Sequence, residues 1–217
     1  MNAVIVIAAV VAALAAVANW WSRVADGPTA DRVELVSKPL ATIAIAVVGV
    51  TLGVMHDAPA SALAAGIVGF VCCLAGDVAL LPIIDRFVVG LASFLVGHVA
   101  FIVMFVLLGL DEVWLTVPAL IAVAGLIATL GRRIVAGATA QDAALRVPIL
   151  AYLAVISTMA VVGWSTGVAA ALIGSTLFVA SDSILGWRQF VGGGRWLAPA
   201  VMITYHAALL GLALSLA

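Results

Sequence analysis

Apolar stretches long enough to cross a lipid bilayer recur along the whole chain and constrain its fold more than any other feature. A membrane-spanning helix needs about 20 predominantly apolar residues. Of the 217 residues, 66% are hydrophobic and 9% are charged, which is far from the composition of a soluble domain. The sequence therefore predicts a single all-α integral membrane domain over residues 1–217, a polytopic bundle of eight transmembrane helices. The predicted spans are Asn2–Ser22, Val33–Gly53, Ala60–Leu81, Phe87–Leu110, Val113–Leu130, Val147–Gly163, Gly167–Gly186 and Leu197–Ala217.

The basic residues predict the orientation of this bundle. With eight spans, all nine Lys and Arg residues fall on one side of the membrane: Arg23, Arg32, Lys38, Arg86, Arg132, Arg133, Arg146, Arg188 and Arg195. The positive-inside rule makes that side cytoplasmic and puts both termini on the non-cytoplasmic side, as in a bacterial-type cell membrane. The net charge of −1 gives no indication of a nucleic-acid partner, and no obligatory protein partner is implied.

Two aspartates lie near the ends of otherwise apolar predicted helices, Asp77 in the third span and Asp182 in the seventh. A charged side chain in the bilayer costs about 2.5–3.5 kcal/mol on insertion scales, so it usually has a partner, a cavity or a function. A helical rise of about 1.5 Å per residue places both roughly 7 Å inside the cytoplasmic ends of their helices. Each is followed one helix later by a histidine, His98 or His206. This echo between residues 1–110 and 113–217 would fit a weak parallel repeat.

Further polar groups belong to the same cytoplasmic half of the bundle. Glu34 and Lys38 are four residues apart and share a helix face, and Tyr205 adds a hydroxyl group near this level. Together with the aspartates they could converge on one polar cavity near the headgroup boundary. A structural interpretation stays open for each. The aspartates could bond backbone groups or interfacial arginines, the Lys38 side chain could extend to the interface, and His98 and His206 could be satisfied core residues.

Two carboxyl groups in surroundings of different polarity can divide into an acid and a base. Their predicted depth matches the junction of a phospholipid's glycerol with its first chain carbons, which suggests hydrolysis there, with the phosphate near Lys38 or a loop arginine such as Arg86. No GxSxG or HExxH motif indicates familiar ester or amide hydrolysis. A zinc site formed by Asp77, His98, Asp182 and His206 has the right residue types but no diagnostic spacing.

Four sequence blocks carry a resemblance to a known family: LAGDVALL, FVVGLASFLVGHVAFI, GSTLFVASDSILGWRQF and ITYHAALL. They resemble, in order, the signature blocks of the YhhN, or lysoplasmalogenase, family, as does the early segment Ser37-Lys38-Pro39-Leu40. The resemblance implies an eight-span enzyme that cleaves the vinyl ether bond of lysoplasmalogens. The products would be a fatty aldehyde and glycerophosphoethanolamine or glycerophosphocholine. Asp77 and Asp182 match the family's proposed catalytic aspartates.

Acid catalysis by these two residues suits a vinyl ether, which resists bases and nucleophiles but is cleaved after protonation of its outer alkene carbon. No metal or organic cofactor is then required, and the implied partner is a lysophospholipid within the bilayer. His98, Tyr205 and His206 would support proton transfer, and Lys38 and Arg86 would bind the phosphate. The alternative is a proton-coupled small transporter or a lipid-binding membrane protein that uses the same buried groups. A structural scaffold is the third interpretation.

Overall fold

The computed structural model describes residues 2–217, and all regular secondary structure in that range is helical. Eight helices are long and apolar enough to cross a membrane, which confirms the predicted fold class and number of spans. They are α1 Ala3–Ser22, α2 Pro28–Met55, α3 Ala60–Ala79, α4 Phe87–Leu108, α5 Val113–Gln141, α6 Ala143–Ser165, α7 Ala169–Phe190 and α8 Leu197–Leu214. The protein is therefore an integral multi-pass membrane protein.

Four helices extend several residues beyond their predicted apolar stretches. Helix α6 begins at Ala143 rather than Val147, α7 ends at Phe190 rather than Gly186, and α2 and α5 also extend. Helix α2 begins at Pro28 rather than Val33, with Gly27 before it at a φ of 99°; proline at the first helical position is already set in a helical φ. Helix α5 continues to Gln141 rather than Leu130, through a π-helical turn at 127–131. Hydropathy marks where the apolar stretch ends, whereas the helical backbone continues into the more polar residues beyond it.

Close packing of small residues brings the helices that carry the aspartates against their neighbours. Helices α7 and α8 cross with so little separation that a Cβ added to Gly211 would lie 2.5 Å from the Cα atom of Gly174. At the crossing of α3 and α4, a Cβ on Gly76 would lie 2.6 Å from the Phe94 ring. Such small-residue contacts are the usual basis of helix association in lipid. Helix α8 is the most enclosed of the eight, whereas α5 packs against α6 and α7 and leaves most of its surface facing lipid.

The alternation of eight spanning helices places all nine Lys and Arg residues in the half of the bundle that holds the α1–α2, α3–α4, α5–α6 and α7–α8 connections, as the sequence predicts. At one end Arg23 forms an ion pair with Glu34, and Gln141 donates to the backbone carbonyl of Gln189 at 3.2 Å. At the opposite end, Asn2, just before α1, lies 3.5 Å from the sulfur atom of Met55, the last residue of α2. The compartment that each end faces stays a prediction.

Labelling of single cysteines tests this orientation. In a protein with Cys72→Ala and Cys73→Ala, Gly194→Cys in the exposed α7–α8 loop should react with a membrane-impermeant maleimide only after the cells are permeabilised. The matched variant His56→Cys, exposed at the opposite end, should react in intact cells because the basic end is predicted to face the cytoplasm. The reverse labelling pattern would show that the protein has the opposite orientation.

Candidate active site

Asp77 is a fully enclosed carboxyl group with several donors around it. The side chains of Thr42 and Tyr205 donate to its Oδ2 atom at 2.6 and 2.8 Å. The Lys38 Nζ atom lies 3.7 Å from Oδ1 and donates to the Asp77 backbone carbonyl at 3.2 Å. Only 1% of the Asp77 side chain is exposed. A buried carboxylate needs such a cation and such hydrogen bonds to offset its desolvation.

The local sequence explains how these groups reach Asp77. Lys38 and Thr42 are four residues apart in α2, so both side chains project from the same helix face. The carbonyl group of Asp77 lies in the last turn of α3, where carbonyl groups have no partner within the helix. The Lys38 ammonium group therefore satisfies this carbonyl while it balances the charge of the carboxylate.

Asp182 has different surroundings. The Tyr152 hydroxyl group donates to its Oδ2 atom, and the His98 Nε2 atom lies 3.7 Å from the same oxygen. Within residues 2–217, no Lys or Arg nitrogen comes within 4.0 Å of this carboxyl group. Its side chain is 12% exposed. Asp77 therefore faces an ammonium group and two hydroxyl groups, whereas Asp182 faces the phenol of Tyr152 and the imidazole ring of His98.

The chain contains only two tyrosines, and each donates to one of the two aspartates. Tyr205 on α8 bonds Asp77, and Tyr152 on α6 bonds Asp182. Tyr205 was a predicted site residue, whereas Tyr152 and Thr42 were not. The signal in the sequence was the scarcity of tyrosine and, for Thr42, its position one helical turn after Lys38.

A single cavity of about 450 Å³ is lined by both aspartates. Lys38 and Tyr205 line its inner part together with them. Near the basic end of the bundle, the cavity is lined by charged and polar side chains: Arg23, Glu34, Asp85, Arg188 and Gln189. The structure therefore brings together on one polar cavity the four side chains predicted to converge there: Asp77, Asp182, Lys38 and Tyr205. Glu34 also lines this cavity.

The other predicted site residues lie outside this cavity. His98 is fully buried behind Asp182, with its ring edge-on to Phe178 at 4.6 Å, and neither ring nitrogen has a hydrogen-bond partner among the described residues. His206 accepts a hydrogen bond from the Trp20 indole at 3.0 Å. Arg86 is exposed at the start of α4 and does not line the cavity, whereas Arg23 and Arg188 do.

The four side chains considered as a zinc site do not come together. Within residues 2–217, no group of three or more His, Cys, Asp or Glu side chains is arranged to hold a metal ion. His98 lies next to Asp182, whereas His206 is held by Trp20 on α1. These histidines therefore have separate surroundings.

Comparison with known proteins assigns the chain to a family. Residues 33–216 match the YhhN family, a range that begins early in α2 and includes every later helix. No curated protein and no solved structure matches the chain. Of the charged and polar cavity residues named above, only Arg23 precedes the matched range. The chain belongs to the YhhN family.

Proposed function

We propose that this protein is a lysoplasmalogenase-like hydrolase that cleaves the vinyl ether bond of a lysoplasmalogen within the membrane. The observation that carries the proposal is the cavity lined by both Asp77 and Asp182, in a family known to include lysoplasmalogenases. The products are a fatty aldehyde and glycerophosphoethanolamine or glycerophosphocholine. The active-site end of the bundle would face the cytoplasm.

The cavity suits a lipid with one chain and a charged headgroup. Arg23 and Arg188 line it near the basic end of the bundle, where they would attract the phosphate of a lysolipid. Arg23 already pairs with Glu34, so Arg188 is the basic side chain freer to bind an anion. Lys38 faces the same cavity from deeper inside, where its first contact is Asp77. In this proposal Lys38 balances Asp77 and also draws the phosphate inward.

The surroundings of the aspartates favour Asp182 as the acid and Asp77 as the carboxylate. Asp77 has the Lys38 ammonium group and two hydroxyl donors, all of which stabilise a negative charge. Asp182 has no neighbouring Lys or Arg, and an isolated carboxylate in an apolar surrounding is costly enough to keep its proton. A pair of carboxyl groups divided in this way is the usual arrangement for acid-catalysed hydrolysis.

The reaction then proceeds in three balanced steps. Asp182 gives its proton to the outer alkene carbon, and the double-bond electrons form the new C–H bond, which leaves an oxygen-stabilised cation. The Asp77 carboxylate stabilises that cation and orients water, which adds to the carbon that carries the ether oxygen. The hemiacetal loses its hydroxyl proton and breaks its bond to the glycerol oxygen, which is protonated as the alcohol leaves. The proton that water loses when it adds to the cation passes to the Asp182 carboxylate, and the hydroxyl proton of the hemiacetal ends on the glycerol oxygen. The acid is thereby restored, and the net reaction consumes one water molecule.

Purified protein incubated with an alkenyl lysophosphatidylethanolamine tests this function. We expect release of fatty aldehyde and, in deuterium oxide, one deuterium at the carbon next to the aldehyde, because the proton is delivered to carbon. The matched controls are the acyl ester and the saturated alkyl ether of the same chain length, which have no alkene to protonate. Aldehyde without deuterium would contradict the mechanism. Absence of aldehyde release, or cleavage of the ester, would contradict the function.

A further inference from the structure

A second, apolar pocket joins the cavity at Asp182. It lies between α4, α6 and α7, and α5 forms part of its wall. Five residues line both spaces: Leu80, Phe87, Phe94, Asp182 and Leu185. Tyr152, which holds Asp182 in place, also lines the apolar pocket. The carboxyl group proposed as the acid therefore lies where a polar space meets an apolar one.

The shape of this pocket follows the direction of the lipid chains. Along α6 it extends from Ile149 to Ser157, a distance of roughly 12 Å at the helical rise per residue. Half of the hydrocarbon core of a bilayer is about 15 Å thick. The pocket therefore runs from near the basic end of the bundle toward the bilayer centre, parallel to the spanning helices.

The inner end of the pocket is formed by residues from three helices. Ile156 and Ser157 come from α6, Val179 from α7 and Leu126 from α5. Ser157 is the smallest of these side chains, so a larger residue at this position would shorten the pocket. Thr158, the next residue on α6, is exposed on the lipid-facing surface and does not line the pocket.

The free space in the pocket is narrow, about 40 Å³, so a chain must displace part of the wall. Helix α5 is the wall that can yield, because it packs mainly against α6 and α7 and is largely exposed. Its π-helical turn at 127–131 lies between two pocket residues, Leu126 and Ile134. Turns of this kind often occur at functional sites in helices.

We propose that this apolar pocket binds the single hydrocarbon chain of the lysolipid, and that Ser157 determines the chain length it accepts. The polar cavity would hold the headgroup, so that the bond joining chain and glycerol lies beside Asp182. This proposal rests on the proposed function for the identity of the bond that is cleaved. The binding of a chain in the pocket can be measured without any turnover.

The test compares Ser157→Phe with its neighbour Thr158→Phe. Native mass spectrometry measures the dissociation constants of acyl lysophosphatidylethanolamines with 10- and 16-carbon chains, which contain no vinyl ether. For Ser157→Phe we expect the dissociation constant of the 16-carbon lipid to rise by about tenfold or more, within the range that overpacking costs. The 10-carbon lipid should bind as it does to the unsubstituted protein, and Thr158→Phe should bind both lipids unchanged.

Equal losses for both chain lengths, or equal behaviour of the two variants, would overturn the pocket assignment. If Ser157→Phe does not fold, Leu126→Trp narrows the pocket from the peripheral α5, with Ile121→Trp on the same helix, 69% exposed, as its control. The same pattern of chain-length selection is expected, and its absence overturns the proposal. Failure of the wild-type protein to release aldehyde would overturn the proposed function alone, because the binding measurements do not depend on cleavage.

Discussion

Asp182→Asn will abolish release of fatty aldehyde while the protein stays folded, and Asp77→Asn will abolish it as well. Asparagine has nearly the same size as aspartate but cannot deliver a proton or carry a negative charge. General acid catalysis contributes about 10²–10⁴-fold to rate, so a loss of at least about 10²-fold is expected for Asp182→Asn. Loss of the Asp77 carboxylate removes stabilisation of the cation, an effect of similar size.

The two variants should differ in stability, which separates a chemical role from a structural one. No Lys or Arg lies next to Asp182 in the described residues, so Asp182→Asn should leave the unfolding temperature nearly unchanged. Asp77→Asn leaves the buried Lys38 without its counter-ion and should lower the unfolding temperature. The measurements are aldehyde release and thermal unfolding in detergent. Asp26→Asn, in an exposed loop at the same end of the bundle, is the matched control, and near-full activity of either site variant would contradict the assignment.

The second large effect is expected at Lys38. Lys38→Met leaves the Asp77 carboxylate, 1% exposed, without a cation. Breaking a buried ion pair in this way costs about 3–5 kcal/mol of unfolding free energy. The double variant Lys38→Met/Asp77→Asn should recover most of that stability because no unpaired charge remains, but it should release no aldehyde. Denaturant unfolding in detergent of the unsubstituted protein, the two single variants and the double variant gives the four free energies needed for the double-variant cycle.

Arg86→Met is the control for this series. Arg86 is exposed at the start of α4, so its replacement should change the unfolding free energy by no more than about 0.5 kcal/mol. The affinity of the Arg86→Met variant for the lipid also tests the predicted contact between Arg86 and the phosphate. The position of Arg86 outside the cavity does not favour that contact. If Lys38→Met is as stable as the unsubstituted protein, Lys38 and Asp77 do not form a charged pair, and Asp77 is not the carboxylate of the mechanism.

Much of the fold could be predicted from hydropathy and charge, because lipid requires long apolar helices and distributes basic residues unevenly across the membrane. The eight spans are where these patterns place them. The ends of α2 and α5 could not be predicted in the same way. Both helices continue into polar sequence, at Pro28 and at Gln141, where hydropathy carries no information about the backbone.

Part of the candidate site could also be predicted. Asp77 and Asp182 attract attention because charges in apolar helices are costly. The apparent pairing of each aspartate with the histidine one helix later does not correspond to the contacts. Asp77 is bonded by Tyr205 from the other half of the chain, and Asp182 lies beside His98, also from the other half. Each aspartate also has partners from its own half, Lys38 and Thr42 for Asp77 and Tyr152 for Asp182, so both halves of the chain contribute to the surroundings of each carboxyl group.

The sequence by itself determined the number of spans and their approximate positions, because lipid requires long apolar helices. It did not determine the depth of the two aspartates. Helix α3 ends two residues after Asp77 and α7 ends eight residues after Asp182, so the helical rise places them about 3 Å and about 12 Å from those ends rather than about 7 Å from both. Only the tertiary structure decided which side chains face each carboxyl group. Those contacts depend on the order of the helices in the bundle and on the rotation of each helix about its axis. Close approaches between helices, such as Gly174 to Gly211 and Gly76 to Phe94, fix both quantities. Position along the chain contains neither quantity, so Tyr152 and the shared cavity became visible only when the helices were packed together.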